Sequence, residues 1–284
     1  MKKFSIVIPV AKDEADLVKQ NLLSWCNLAS DELLLCVDYP LNDEDQCKLT
    51  KIYRIVDSIR PFSKVDIRFL HVFPNPAYNF HQAWVRRCGF IEASNDVILT
   101  GDIDLYVYSS CLKALEFIGE KNVGLVSLSK LRNRHGFIGC SRNVMEKLTR
   151  FIAQLSGSFK AGKAYFTGLY WLYRPYWKDS ESEEGIKHLE HPYRTNTLSS
   201  SWGGYVGEDT YLRNCMVKKH RVLYLADIGA EDMRPGLEDR KEIQYKIGAK
   251  FALERMGLLK VAKHALVHLR LYTLIGYFSM RLRK

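Results

Sequence analysis

Asp96-Val97-Ile98-Leu99-Thr100-Gly101-Asp102-Ile103-Asp104 runs an apolar stretch straight into two carboxylates spaced i, i+2. A short, uninterrupted β-rich run predicts a strand covered on both faces. Residues 96–100 are therefore read as a buried strand, with Asp102 and Asp104 beyond its carboxyl end. Upstream, the pattern repeats. Phe4-Ser5-Ile6-Val7-Ile8-Pro9-Val10 predicts a first strand, and 13–27 a helix that Asp13 or Asp16 can cap. Residues 32–37 predict a second strand ending at Asp38, and 43–60 a second helix stopped by Pro61. Residues 65–72 read as a third strand, 73–79 as a Pro- and Asn-rich loop, and 80–93 as a third helix. This alternation implies an α/β fold on a mostly parallel sheet with right-handed crossovers. Ligands bind such sheets beyond the carboxyl ends of the strands. Three acidic sets fall on that edge: Asp13 with Glu14, Asp38, and Asp102 with Asp104. One carboxylate at a strand end is ordinary; three sets converging on one edge point to a cation or a sugar-nucleotide site.

After residue 110 the periodicity loosens. Residues 111–121 predict a helix, 123–128 a strand and 141–155 a helix. Residues 156–201 read as loop, rich in aromatic and polar side chains. Residues 208–218 predict a helix opening on Glu208 and Asp209, and 222–225 a late strand. The 284 residues thus divide into an α/β domain over 1–235, with halves 1–110 and 111–235, and a helical tail over 236–284.

A formal charge of +10 favours anionic partners: nucleoside diphosphates, anionic lipid or nucleic acid. No helix-turn-helix, zinc or RNP pattern is present, so nucleic acid is not expected. The charge is uneven, because residues 255–284 are rich in Lys and Arg and contain no acid. In that tail Val261, Ala262, Ala265, Leu266 and Leu269 gather on one helical face, with Lys260, Lys263 and Arg270 opposite. Residues 271–280 are apolar nearly all round, and Arg281-Leu282-Arg283-Lys284 follows. The apolar part is shorter than the roughly 20 residues a spanning helix needs. A basic amphipathic helix on a membrane surface is expected; a helix docked on the α/β domain or on a second copy is the alternative. The seven cysteines include no CxxC pair, which argues against zinc ribbons and thioredoxin motifs and suits a reducing compartment. The opening Met1-Lys2-Lys3 and its apolar run imitate a signal peptide, but Pro9 and the charges after it fit a buried strand better. The expected location is cytoplasmic, peripheral on the inner face of the plasma membrane.

Asp102-Ile103-Asp104 can approach one hard cation, Mn2+ or Mg2+, whose shell substrate phosphate and water complete. Such a cation neutralises charge building on a departing diphosphate. The bare Asp-X-Asp pattern also occurs in surface turns; its place after an apolar strand is what gives it weight. Asp209 in Gly207-Glu208-Asp209 is either a first-turn dipole partner or a general base. Gly203, Gly204 and Gly207 permit close approach of a substrate to backbone. Trp171, Tyr173, Tyr176, Trp177, Tyr193 and Trp202 are mostly core candidates, with one or two available to stack on a sugar.

In this order and spacing the motifs resemble the GT-A glycosyltransferases, and among them the large inverting family 2, over roughly residues 4–235. Residues 4–10 look like the family's first strand, and Asp13-Glu14 resembles the acidic pair that follows. Asp38 sits where the family has an aspartate that contacts the nucleoside. Arg86-Arg87-Cys88-Gly89 is similar to the family's Ala-Arg-Asn-X-Gly helix, with the Asn replaced. Asp102-Ile103-Asp104 matches the metal-binding Asp-X-Asp, and Glu208-Asp209 the pair whose Asp is the catalytic base. The resemblance implies a nucleotide-sugar half over 1–110 and an acceptor half over 111–235. It implies donor contacts from Pro9, Asp13, Glu14, Asp38, Arg86 and Asp102, metal contacts from Asp102 and Asp104, and acceptor contacts from Trp202 and Glu208. The donor is a nucleoside-diphosphate sugar, UDP-sugar favoured, and the acceptor a glycan or lipid-linked hydroxyl. Two departures stand out. Tyr39-Pro40-Leu41-Asn42-Asp43 replaces a small, acidic, Ser-rich loop, and Asp227-Ile228-Gly229-Ala230-Glu231-Asp232 lacks the metal-ligating His of many relatives, leaving Glu231 or Asp232 as substitutes. Arg132, Arg134 and His135 are a candidate diphosphate cluster. A nucleotidyltransferase is the rival enzyme class, but it would carry a Gly-rich phosphate loop where this chain has Ala11-Lys12-Asp13-Glu14.

Overall fold

The computed structural model describes residues 2–78, 81–132, 168–181, 208–233, 257–267 and 271–282, with 144, 244, 245, 247–249 and 252. The chain runs β1 (Ser5–Val10), α1 (Ala15–Cys26), β2 (Glu32–Asp38), α2 (Asp43–Ile59), β3 (Asp66–Val72), α3 (His81–Glu92), β4 (Val97–Thr100) and β5 (Leu105–Val107). Then follow β6 (Val123–Arg132), β7 (Tyr170–Tyr173), α4 (Arg174–Ser180), α5 (Glu208–Met216), β8 (Arg221–Asp232), α6 (Leu258–Val267) and α7 (Leu271–Leu282). The strands form one sheet in the order β3-β2-β1-β4-β7-β6-β8-β5. Its first four strands are mutually parallel, as the strand–helix alternation requires. β7 is antiparallel to both β4 and β6, β5 is antiparallel to β8, and β6 and β8 are parallel. The sheet is therefore mixed.

Period-2 geometry divides β1 between two cores. Ile6 and Ile8 join Leu22, Trp25, Leu33, Leu35, Leu49 and Ile52 on the side of α1 and α2. Val7 joins Leu34, Cys36, Val85, Phe90, Ile98 and Trp177 on the side of α3 and α4. β1 is buried along its whole length, which explains its unbroken apolar run. Pro9 is tolerated in this central strand because pairing with β4 ends at Val7↔Thr100, so no partner on that side needs its N–H. α3 packs on β1 at a distance only glycine permits. A Cβ on Gly89 would lie 2.3 Å from Val7 Cγ1 and 2.7 Å from Cys36 Sγ, so the Gly of the Arg-Arg-Cys-Gly stretch is a packing requirement.

Several sequence expectations change. Residues 156–201 are not loop throughout: they contain the central strand β7 and helix α4. Residues 111–121 do not form an α-helix; a 3-10 run over Ser109–Glu116 stands there. β8 is a 12-residue strand, far longer than 222–225, because β6 and β5 supply partners up to Asp232. α1 starts after Glu14, which makes no side-chain cap; neither Asp13 nor Asp16 caps it, and the Glu14 side chain accepts the Ala11 N–H at 2.9 Å. α2 is capped by Asn42, whose Oδ1 accepts the Asp45 N–H at 2.8 Å. The expected helix over 141–155 lies outside the described residues.

Glu32 locks the amino edge of the sheet. Its buried carboxylate accepts the Ser5 hydroxyl at 2.5 Å, the Ser94 hydroxyl at 3.0 Å, the Ser94 N–H and the Arg68 guanidinium. Burial alone would raise its pKa, but these donors override burial and hold it below the ordinary value of 4.5. A depressed carboxylate contributes stability that is present above the unfolded pKa and lost as pH falls through the folded one. Glu32→Ala is expected to cost about 2–3 kcal/mol at neutral pH, since it strands a backbone N–H and a guanidinium. Urea melts should show that gap closing below about pH 4.5; a pH-independent gap would contradict this account.

Candidate active site

The Asp-X-Asp segment is fixed by buried polar groups of α1. Asn21 Nδ2 donates to Ile103 O at 2.9 Å, Trp25 Nε1 to Leu105 O at 3.1 Å, and the Val107 N–H to Ser24 Oγ at 3.0 Å. From the other side the Met233 N–H donates to Asp104 O at 2.8 Å, tying the segment to the end of β8. Asn21, Ser24 and Trp25 look like misplaced polar atoms in a helix core; their partners show that they hold this loop. A Cβ on Gly101 would approach Trp25 Cη2 to 2.9 Å, so the turn out of β4 leaves little space there.

Arg86 organises the site. Its side chain is 5% exposed. One nitrogen, Nη2, donates to Asp102 Oδ1 at 2.5 Å, and Nη1 donates to Glu208 Oε1. The guanidinium on α3 thereby joins the end of β4 to the first turn of α5, where Asp209 follows Glu208. Burial works against its charge, but Asp102, Tyr170 and Asp209 together outweigh it, so the proton is held more tightly than in an ordinary arginine. Gln82 Nε2 donates to the same Asp102 oxygen at 3.1 Å. Tyr170 of β7 is buried among these groups. Burial pushes its hydroxyl pKa up, and the Asp209 and Asp102 charges add to this against that of Arg86. A second ion pair ties α3 to the end of α4: Arg87 of α3 bonds Glu181, just beyond α4, while its guanidinium lies 5.2 Å from the centre of the Trp177 ring.

The other expected residues scatter along the same edge. Pro9 lies near the end of β1, buried. Asp13 is exposed in the turn before α1. Asp38, at the end of β2, pairs with His81 Nε2 at 2.7 Å, beside Tyr39 stacked on Phe73 with ring centroids 4.0 Å apart. Lys12 bonds Asp45 at 2.5 Å. Glu231 and Asp232 are strand residues rather than loop acids. Glu231 accepts the Tyr108 hydroxyl at 2.7 Å, which with burial pushes that phenol up to about 12. Asp232 lies 3.5 Å from Lys130 Nζ. Trp171 and Trp177 are core: both are buried, and Trp171 Nε1 donates to Cys111 O at 3.0 Å. Trp202, Tyr193, Gly203, Gly204, Gly207, Arg134, His135 and the Arg132 side chain lie outside the described residues.

Sequence reasoning missed His81, Gln82 and Tyr170. The first two open α3 directly after the Pro- and Asn-rich loop, where a helix start faces the ligand edge; Tyr170 carried no signal beyond its aromatic run. Among the described residues no set of three His, Cys, Asp or Glu could hold a metal ion. The pair Asp102 and Asp104 fits a hard cation that takes two carboxylates and completes its shell with phosphate and water.

No family model and no curated protein matches the chain. Among solved structures, it is similar to TarS residues 1–349 from S. aureus, at 17% identity over 98% of this chain and 72% of that one, with a TM-score of 0.51. It is also similar to the galactosyltransferase LgtC in complex with donor and acceptor sugar analogs, at 16% identity over 78% and 72%, TM-score 0.42. A third is glucosyl-3-phosphoglycerate synthase from Mycobacterium tuberculosis, in complex with Mn2+, uridine diphosphate and phosphoglyceric acid, at 14% identity over 90% and 80%, TM-score 0.42. The fold is that of the GT-A glycosyltransferases.

Proposed function

We propose that this protein is an inverting glycosyltransferase that moves a sugar from a nucleoside-diphosphate donor, UDP-sugar favoured, to a hydroxyl of a glycan or lipid-linked acceptor. The observation that supports this reading is the Arg86 bridge. One buried guanidinium ties the Asp-X-Asp carboxylate to the helix turn that carries Asp209, on the ligand-binding edge of a GT-A sheet. Asp102 and Asp104 are the residues that would hold a divalent cation, and a cation there neutralises charge on the departing diphosphate. Asp209 takes the proton of the acceptor hydroxyl as that oxygen attacks the anomeric carbon from the face opposite the diphosphate. Asp38 and His81, with the Tyr39–Phe73 stack, form the place for the nucleoside. Against the nucleotidyltransferase alternative stands Lys12, which is engaged by Asp45 and has no glycine-rich phosphate loop around it.

Calorimetric titration of UDP and GDP tests the donor half of this reading. UDP should bind with Mn2+ present and weaken at least about tenfold with chelator or in Asp102→Asn. Equal affinity with and without the metal would overturn the metal assignment.

A further inference from the structure

We infer that helix α7 is a docking element that lays an apolar stripe into the interface of an anionic lipid bilayer. Two faces of this helix have separate tasks. One is consumed within the tail. A Cβ on Gly276 would lie 2.0 Å from Tyr245 O, and one on Gly248 would lie 1.8 Å from Thr273 O. The α7 backbone therefore rests against Tyr245 and Gly248 at a separation only glycines allow. Tyr277 and Met280 complete a small core with Ala249, Ala252 and Val261, all of them tail residues. This helix-on-helix packing explains half of the apolar character of residues 271–280.

The other face is not explained by it. Leu271 is 65% exposed, Ile275 50%, Phe278 45% and Leu282 85%. These positions, spaced i, i+4, i+7 and i+11, fall on one helical stripe. Leu259 and Leu266 of α6 are exposed as well. A run of large apolar side chains left open in this way marks an interaction surface.

Charge selects the occupant. Residues 255–284 hold seven Lys and Arg and no acid, against a net charge of +10 for the whole chain, so the segment that carries the stripe is strongly basic. A second copy docked face to face would bring like charge against like charge in a desolvated contact. An anionic bilayer supplies an apolar layer for the stripe and counter-charge for the cations. Arg281 has the right placement for the boundary: it lies exposed in the last turn of α7, next to Leu282, with its guanidinium 5.5 Å from the Tyr277 ring centre and Nε donating to the Tyr277 hydroxyl at 3.3 Å. Among the described residues no helix is long and apolar enough to cross a membrane, which matches a helix lying in the interface plane. The inference is independent of the transferase reading.

Vesicle flotation of the full chain tests it. The protein should float with vesicles containing phosphatidylglycerol and remain behind with pure phosphatidylcholine, and high salt should weaken the binding. The double variant Ile275→Ser with Phe278→Ser should lose at least about tenfold in binding, while its melting temperature stays close to that of the parent, because both side chains are exposed. Three results would overturn the proposal: no flotation with anionic vesicles, undiminished flotation of the double variant, or a concentration-dependent dimer that the double variant abolishes.

Discussion

Asp209→Asn is expected to lower the rate of sugar transfer by about 100- to 10,000-fold, the range general-base catalysis supplies. The substitution keeps the shape of the side chain and its place in the first turn of α5. Glu208 keeps its bond to Arg86, and Asn still serves the helix start. What disappears is a group that can take the acceptor proton. The loss should therefore fall on kcat, with donor affinity nearly unchanged, which is the signature of an interaction made in the transition state. Calorimetry with the nucleotide, beside steady-state rates, separates the two. If Asp209→Asn loses donor binding instead, Asp209 belongs to the donor site; if it turns over normally, the base is another residue.

Arg86→Leu is the substitution expected to cost most in stability, about 3–5 kcal/mol. Removing one partner of a buried ion pair leaves an uncompensated charge in the interior. Here two carboxylates are left: Glu208, buried, and Asp102, partly so. Glu208 Oε2 is buried with no hydrogen-bond partner among the described residues, so this side chain depends heavily on the arginine. The double variant Arg86→Leu with Glu208→Leu removes the stranded charge and should recover part of the loss, giving a coupling of about 1–3 kcal/mol in a double-mutant cycle. Strict additivity would mean that the Arg86–Glu208 contact is not a coupled pair. Activity should remain low in both variants, because Asp102 and α5 lose their common anchor.

The parallel half of the sheet was legible because its physics is local. Buried parallel strands read as unbroken apolar runs, and α2 shows Leu49, Ile52 and Val56 at helical spacing, all buried in the structure. β7 was not legible. Tyr170-Trp171-Leu172-Tyr173 is only four residues long, and its place is fixed by β4 and β6, partners distant in sequence. The second half of β8 was read as loop because Asp227, Gly229 and Glu231 break its pattern; pairing with β5 and β6 overrides that weak propensity.

The site divides along the same line. Asp102, Asp104, Glu208 and Asp209 are visible as short motifs beside a strand end and a helix start. The bridge that Arg86 makes was not visible, since its contact with Glu208 spans 122 positions. Motif reading makes it a donor contact, and the structure adds that it lies buried between the carboxylates of Asp102 and Glu208. His81 and Tyr170 belong to no motif and enter only through contacts the fold creates.

The most direct test of the central claim is turnover against a panel of nucleotide sugars and nucleoside triphosphates, with Mn2+ or Mg2+ and then with chelator. The account predicts release of a nucleoside diphosphate from one nucleotide sugar, abolished by chelation and by Asp104→Ala. Release of pyrophosphate from a triphosphate, or no turnover and no binding of any nucleotide sugar by the folded chain, would contradict it.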